Sequence, residues 1–177
     1  MNLEYILVNK DYEYYSNVKY LFEHAFPVEE RPPFSRLIQM DKNQLFAVED
    51  DGVFVGLFSI VEYKDLLYIF FLAFKKKFRG QGYGSKVLQD ILTKYSDKRV
   101  YLLAEDPDVP NNNQAERDSR IKFYEKNGLK KTNVKVVEYD IPYVVLISGE
   151  KVSKQDFLDT MKYLLGFYFD IYKHNVL

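Results

Sequence analysis

The sequence predicts an α/β (α+β) fold, with a mixed, mostly antiparallel sheet and helices on both faces. Three observations support this prediction. Three strand-like segments follow one another with tight turns, a helical segment connects two strands, and strands alternate with helices without a regular βαβ repeat. The chain has 177 residues, which suits a single domain, and neither an internal repeat nor a low-complexity linker divides it.

The first half of the sequence predicts four strands and two helices. Apolar side chains at helical spacing predict the first helix, and Pro27 ends it. The segment Asp50-Asp51-Gly52 suits a tight turn between two strands, because Asp and Gly tolerate positive φ. The predicted elements are strands at 3–8, 44–48, 53–63 and 66–74, and helices at 11–26 and 34–40.

The second half predicts three helices and three strands. The first of these helices crosses between two strands, so we expect that pair of strands to be parallel. Asn127-Gly128 is a good end for the second helix, and Ser153 with Asp156 resembles a capping box at the start of the third. The predicted elements are helices at 82–95, 114–127 and 153–174, and strands at 99–105, 135–139 and 143–148.

Composition excludes several classes of function. The 25 basic and 26 acidic residues nearly cancel, so no global field is expected to hold nucleic acid or an anionic membrane. The absence of cysteine excludes disulfides, zinc–thiolate sites and a cysteine nucleophile, and with only two histidines we expect no metal site. We expect neither a signal peptide nor a transmembrane helix, since the longest apolar stretches are short. These features fit a cytoplasmic protein.

The most informative segment is RGQGYG, at 79–84, between a predicted strand and a predicted helix. Its three glycines lack side chains, so their backbone N–H groups allow close approach of a ligand. The first turn of the following helix leaves N–H groups unpaired and carries partial positive charge. With the lysines at 75–77 and Arg79 beside it, the segment predicts a phosphate or pyrophosphate site. A tight turn that binds nothing is the simpler alternative.

Two common nucleotide-binding patterns fit this segment less well. A Walker A loop needs Lys directly after its last Gly, but here Ser85 precedes Lys86. A dinucleotide-binding loop needs a third glycine or another small residue where Ser85 stands and an acidic residue about 20 positions on, which Glu105 provides. Against this reading, the residues KKKF separate the glycines from the strand. A dinucleotide-binding oxidoreductase stays an open alternative.

Two motifs resemble the GNAT superfamily of N-acetyltransferases. The segment 79–84 satisfies the family's signature of Arg or Gln, two residues, Gly, one residue, and Gly or Ala at a helix start. Phe123-Tyr124 followed by Gly128-Leu129 matches a second element, an aromatic–Tyr pair on a helix and then a glycine. The element order also matches over 1–149. The resemblance implies one GNAT-like, acyl-CoA-dependent domain over 1–177, with an extra C-terminal helix at 153–174.

The resemblance implies acetyl-CoA as co-substrate and no metal. Backbone groups of Leu72, Ala73 and Phe74 would hold the pantetheine arm in a gap between two strands and polarise the thioester carbonyl. Many relatives carry Asn and Ala where this chain has Arg117 and Arg120, and Arg117 is expected to reach a CoA phosphate instead. Backbone N–H groups would bind the pyrophosphate, from the residues Arg79, Gly80, Gln81, Gly82, Tyr83, Gly84 and Ser85.

The resemblance also implies direct attack by an amine on the thioester, without a covalent enzyme intermediate. Tyr124 is the candidate general acid for the leaving thiolate, from its motif position. Glu105, at the end of the next strand, is a candidate general base, and Glu29 and Glu30 are candidates to line the acceptor site. The acceptor would be a small-molecule or peptide amine. A non-catalytic acyl-CoA-binding or sensing domain is the second hypothesis, and the last helix and edge strands suit either a monomer or a homodimer.

Overall fold

A computed structural model describes residues 1–110 and 112–173. Seven strands form one sheet: β1 Leu3–Leu7, β2 Asn43–Asp50, β3 Val53–Tyr63, β4 Leu66–Phe74, β5 Arg99–Glu105, β6 Lys130–Glu138 and β7 Ile141–Ser148. Their order across the sheet is β1-β2-β3-β4-β5-β7-β6. All neighbouring strands are antiparallel except β4 and β5, which are parallel. The predicted mixed, mostly antiparallel sheet is confirmed.

In the part of the chain that the structure describes, six α-helices accompany this sheet: α1 Tyr15–Ala25, α2 Phe34–Gln39, α3 Tyr83–Lys94, α4 Gln114–Lys126, α5 Lys154–Leu165 and α6 Phe169–Tyr172. Helices α3 and α4 pack on one face, in a core that includes Val87 and Ile121. Helices α1 and α2 pack on the other face over β2, β3 and β4, and α5 and α6 pack beside them. Helices therefore cover both faces, as predicted. No helix in the described ranges is long and apolar enough to cross a membrane.

Several predicted elements have different bounds in the structure, among them the first helix, which begins at Tyr15 and not at residue 11. Strand β6 begins at Lys130, five residues before the predicted start, because Lys130 and Lys131 already pair with β7 ahead of an irregularity between Lys131 and Lys135. The helix predicted at 153–174 begins with the expected capping box. It is not continuous, however, since Gly166 has a φ of 53° and a 3₁₀ turn at Gly166–Tyr168 separates α5 from α6. Residue 174 lies outside the described residues.

Candidate active site

A gap between β4 and β5 is the first feature of the site. The two strands pair only where Leu66–Tyr68 lies beside Arg99–Tyr101. Beyond that segment the described residues show no pairing between them, so the sheet is open toward Phe74 and Glu105. Strand β4 also contains one extra residue relative to β3, Phe70, next to the point where the pairing stops. A bulge of this kind bends its strand, which accounts for the separation of β4 from β5.

The loop that follows β4 leads to a helix start without a side-chain cap. Gly80 and Gly82 have φ values of 74° and 89°, which other residues rarely adopt. Gly82 is the N-cap residue of α3 and has no side chain that could cap the helix. The N–H of Lys86 is the first to bond within the helix, to the carbonyl oxygen of Gly82 at 3.0 Å. The N–H groups of residues 83–85 thus have no acceptor inside the helix, which suits them to a phosphate.

Gly84 brings the two sequence motifs into contact. A Cβ atom on Gly84 would lie 2.9 Å from Cζ of Phe123 on α4, so only glycine fits without a shift. The neighbouring Tyr83 has a buried side chain whose Oη donates to Oδ2 of Asp50 at 2.7 Å. Only the backbone of Tyr83 is therefore left to contact a ligand. The glycine motif and the aromatic motif support one α3–α4 arrangement beside the gap.

The basic residues around the loop do not all face solvent. The ammonium group of Lys75 donates to the carbonyl oxygen of Phe54 at 2.8 Å, and burial lowers its pKa. Lys75 is thus directed into the protein and does not add its charge to the loop, contrary to the sequence prediction. Nε of Arg79 donates to the carbonyl oxygen of Phe74 at 3.0 Å, which leaves that carbonyl occupied. The exposed basic side chains of the loop are Lys76, Lys77 and Arg79.

Glu105 forms ion pairs with two arginines at the open end of the gap. Its Oε1 lies 2.8 Å from Nη2 of Arg117, and its Oε2 lies 2.9 Å from Nη1 of Arg120. Arg117 is 3% exposed and also donates to the carbonyl oxygens of Asp106 and Val109, at 3.3 and 3.2 Å. Its guanidinium group is therefore engaged inside the protein, and the expected contact of Arg117 with a CoA phosphate is not supported.

The two arginines hold Glu105 as an anion. Burial acts to raise the pKa of Glu105, but the charge of Arg120 and the contacts with Arg117 outweigh burial and bring the pKa below its usual value. A carboxylate held by two guanidinium groups is a weak proton acceptor at neutral pH. This geometry favours a positioning role for Glu105 over the predicted role of general base.

Tyr124 lies on α4, four residues after Arg120 and therefore on the same side of the helix. Its ring is half-buried and packs against the core on the α3–α4 face. Burial raises the pKa of Tyr124, and the charge of Arg120 opposes this in part. The phenol is consequently protonated at neutral pH, as a general acid must be.

On the opposite face of the sheet, Glu30 and not Glu29 approaches this cluster. Glu29 is exposed, whereas Glu30 is half-buried in the 3₁₀ turn Val28–Glu30. Burial raises the pKa of Glu30; the Tyr143 hydroxyl acts in the opposite direction, and the charge of Glu105 adds to the rise. Tyr143 lies opposite Glu105 in the β5–β7 pairing, so the two side chains are cross-strand neighbours.

Glu138, the last residue of β6, is a third carboxylate on this face. The hydroxyl of Tyr172, on α6, donates a hydrogen bond to it. Burial raises the pKa of Glu138 to about 7; the bond from Tyr172 lowers it, and the charge of Glu30 raises it further. Within the described ranges, no group of three or more His, Cys, Asp or Glu is arranged to hold a metal ion.

Sequence reasoning did not single out Glu138, Tyr143 or Tyr172, and it noted Arg120 only as a departure from the family pattern. Glu138 and Tyr172 are 34 residues apart in the chain. No local motif connects them, so only the packing of α6 against β6 reveals the pair. For Arg120 a signal existed, since a charged residue stands where relatives have alanine.

The profile of the acetyltransferase (GNAT) family matches residues 10–129, which include both the glycine motif and the aromatic motif. The chain belongs to the acetyltransferase (GNAT) family. The resemblance drawn from the two motifs is confirmed. The family match decides against the alternative of a dinucleotide-binding oxidoreductase. No curated protein matches the sequence.

Solved structures share this GNAT fold. A chain attributed to the GNAT acetyltransferases of Bacteroides thetaiotaomicron has a TM-score of 0.77 at 18% identity, with 96% of this chain and 98% of that one covered. An Elizabethkingia anophelis GNAT acetyltransferase with acetyl-CoA bound has a TM-score of 0.61 at 12% identity, with 84% of this chain and 99% of that chain covered. Arabidopsis thaliana Naa50, in complex with the bisubstrate analogue CoA-Ac-MVNAL, has a TM-score of 0.60 at 20% identity, with 85% and 100% covered.

Proposed function

We propose that this GNAT chain transfers an acetyl group from acetyl-CoA to an amine of a small molecule or peptide. The observation that carries the proposal is the gap between β4 and β5, which opens beside the uncapped start of α3. The gap suits a narrow arm such as pantetheine, and the helix start suits a pyrophosphate. Two of the structural neighbours hold acetyl-CoA or a CoA-containing analogue, which supports the same ligand for this fold.

In this proposal the backbone does most of the binding. The N–H groups of residues 80–85 hold the pyrophosphate, because the N–H of Arg79 already donates to the carbonyl oxygen of Lys76 at 3.3 Å. The exposed side chains of Lys76 and Lys77 add positive charge nearby. Backbone groups of residues 72–74 border the gap and contact the pantetheine arm and the thioester. Since the Phe74 carbonyl accepts from Arg79, it keeps the loop folded against β4 and is not free for the ligand.

The reaction we propose is a direct displacement. The amine nitrogen attacks the thioester carbon, a C–N bond forms, and the C–S bond then breaks with its electron pair on sulfur. Tyr124 donates its proton to that sulfur, and the amine gives up one proton to a base on the acceptor face or to water. Positioning and polarisation supply most of the rate enhancement, because both reactants are held in one site.

The acceptor enters, in this proposal, from the face that carries α1, α2 and α5. Glu30 and Glu138 are half-buried carboxylates on that face, and the pKa of each is raised. Glu138, whose pKa lies near 7, is well placed to take a proton from an ammonium group at neutral pH. Glu138 and Glu30 are thus the proposed base candidates in place of Glu105, and Glu30 rather than Glu29 lines the acceptor site in this proposal.

Ligand binding is tested first, by thermal denaturation with acetyl-CoA, CoA, NAD or ATP. At about 100 times its Kd a ligand adds about 2.7 kcal/mol to the free energy of unfolding, so we expect a rise in Tm of about 5 to 10 °C with acetyl-CoA and CoA. Stabilisation by NAD but not by acetyl-CoA would contradict the proposal.

Turnover is tested by the release of CoA with a panel of amines. The chain contains no cysteine, so a thiol reagent detects released CoA without a signal from the protein. We expect at least one amine to give release that depends on both substrates. If acetyl-CoA stabilises the protein but no amine in a broad panel gives release, the chain is a binding or sensing domain instead.

A further inference from the structure

Arg120 stands out because its charged side chain pairs with Glu105, the last residue of β5 beside the gap, although Glu105 already has Arg117 as a partner. We propose that Arg120 stabilises the CoA thiolate as it leaves, and that Glu105 and Arg117 hold Arg120 in position for this role. The inference rests on the proposed acetyl transfer and adds a second group that acts on the leaving sulfur.

The three residues form a chain that runs from the protein interior to the gap. Arg117 is buried and is fixed by two backbone carbonyl oxygens as well as by Glu105. Glu105 bridges the two guanidinium groups, one through each carboxylate oxygen. The Arg120 side chain is 41% exposed, against 3% for Arg117, so Arg120 is the member of the chain with an open guanidinium face.

Charge balance at this end of the gap also points to Arg120. Glu105 is ionised, and on its own it would place a negative charge near the position where a thiolate forms. The buried Arg117 already neutralises that carboxylate through a 2.8 Å contact. The second guanidinium therefore leaves a net positive charge among these three groups. Glu30 faces them as a fourth titratable group, and burial raises its pKa, which favours its neutral form. This balance favours an anion at the gap.

The position of Arg120 relative to Tyr124 supplies the link to the leaving sulfur. The two residues are four apart on α4 and lie on the same side of the helix. The charge of Arg120 acts on the Tyr124 hydroxyl, since it opposes the effect of burial on the pKa of that group. Tyr124 thus provides a proton, and Arg120 provides a permanent charge on the same side of α4.

The step is balanced with Arg120 unchanged. As the C–S bond breaks, sulfur keeps the electron pair and accepts hydrogen bonds from the Arg120 N–H groups. Tyr124 then transfers its proton to sulfur, and the tyrosinate regains a proton from water. Arg120 stays protonated throughout, because a guanidinium group does not give up its proton in proteins.

The test compares CoA with desulfo-CoA, which lacks the thiol, by calorimetric titration across the pH range in which a thiol ionises. In the wild-type protein, CoA should gain affinity relative to desulfo-CoA as the pH rises, because Arg120 favours the thiolate. In Arg120→Gln and Arg120→Ala this gain should be lost, while desulfo-CoA binds as before. Lys122→Ala is the control, since Lys122 is an exposed cation on the same helix.

Kinetics provide the second measurement. We expect Arg120→Gln to lower kcat about 100-fold with little change in KM for acetyl-CoA, and Arg120→Lys to restore part of the loss. The inference is overturned if the CoA to desulfo-CoA affinity ratio is the same in Arg120→Gln as in the wild type, or if kcat falls less than about threefold. If wild-type protein binds neither ligand, the proposed function itself fails, so the two failures are distinguishable.

Discussion

Replacement of Glu138 by Gln should remove a pH dependence of stability that the structure builds into the acceptor face. The pKa of Glu138 is raised from 4.5 to about 7, chiefly by burial. The folded protein therefore binds this proton more tightly than the unfolded chain does. The corresponding stability is fully present below about pH 4.5 and is lost as the pH rises through about 7.

The size of the effect follows from the shift. Each pKa unit corresponds to about 1.4 kcal/mol, so the whole shift is worth about 3 kcal/mol, of which about 2.5 kcal/mol falls between about pH 5 and pH 8. Gln resembles the protonated acid, and it can still accept the hydrogen bond from Tyr172. The difference in free energy of unfolding between Glu138→Gln and wild type should therefore grow by about 2.5 kcal/mol over that range, in favour of the variant.

Urea denaturation followed by circular dichroism at several pH values measures this difference directly. The charged and titratable groups around Glu138 are the same in both proteins, so their own contributions largely cancel. Glu150→Gln is the matched control, because Glu150 is exposed, and its difference from wild type should stay flat with pH. A flat difference for Glu138→Gln as well would refute the account of Glu138 as a buried carboxylate.

Substitutions at three further positions test separate parts of the structure. Tyr124→Phe should lower kcat by about 100-fold or more and alter the pH–rate profile, and an unchanged profile would remove Tyr124 as the general acid. Gly84→Val should lower the free energy of unfolding by about 1 to 3 kcal/mol, because a Cβ there lies 2.9 Å from Phe123; Gly84→Ala should cost less, and equal costs in chemical denaturation would argue against this contact. Ser153→Ala should cost about 1 kcal/mol through loss of the capping box with Asp156, and no change in Tm would show that the box contributes nothing.

Most of the fold was predictable because its signals are local. The turn at Asp51 and Gly52 has the positive φ values that these residue types favour, and β3, β4 and β5 have the predicted bounds. The start of β6 was missed because a side chain, and not the backbone, makes one of its contacts with β7. Thr132 uses its hydroxyl to donate to the carbonyl oxygen of Val145 at 2.9 Å, where regular strand pairing is interrupted. A side chain that replaces a backbone partner has no signature in strand propensity.

The site likewise has a part that local signals predict and a part that they do not. Both motifs are contiguous in sequence, and their positions beside the gap follow from the strand and the helix that each one borders. The carboxylates of the acceptor face come from separate elements, with Glu30 before α2 and Glu138 at the end of β6. Their proximity depends on how those elements pack, which composition and periodicity do not encode. The proposed identity of the base is the part of the mechanism that depends most on this information.

The C-terminal segment, which comprises α5, the 3₁₀ turn Gly166–Tyr168 and α6, connects the two sides of the proposed acceptor face. The guanidinium group of Arg36, on α2, lies 3.9 Å from the ring centre of Tyr168, and Tyr172 bonds to Glu138 at the end of β6. The segment is therefore attached both to the helix that follows Glu30 and to the strand that carries Glu138. The Bacteroides thetaiotaomicron neighbour covers 96% of this chain, too much to omit α5, whereas the other two neighbours cover 84% and 85%. Because the segment contacts both α2 and β6, a change in it should alter the proposed acceptor face before it alters the proposed CoA site, which is built from β4, α3 and α4.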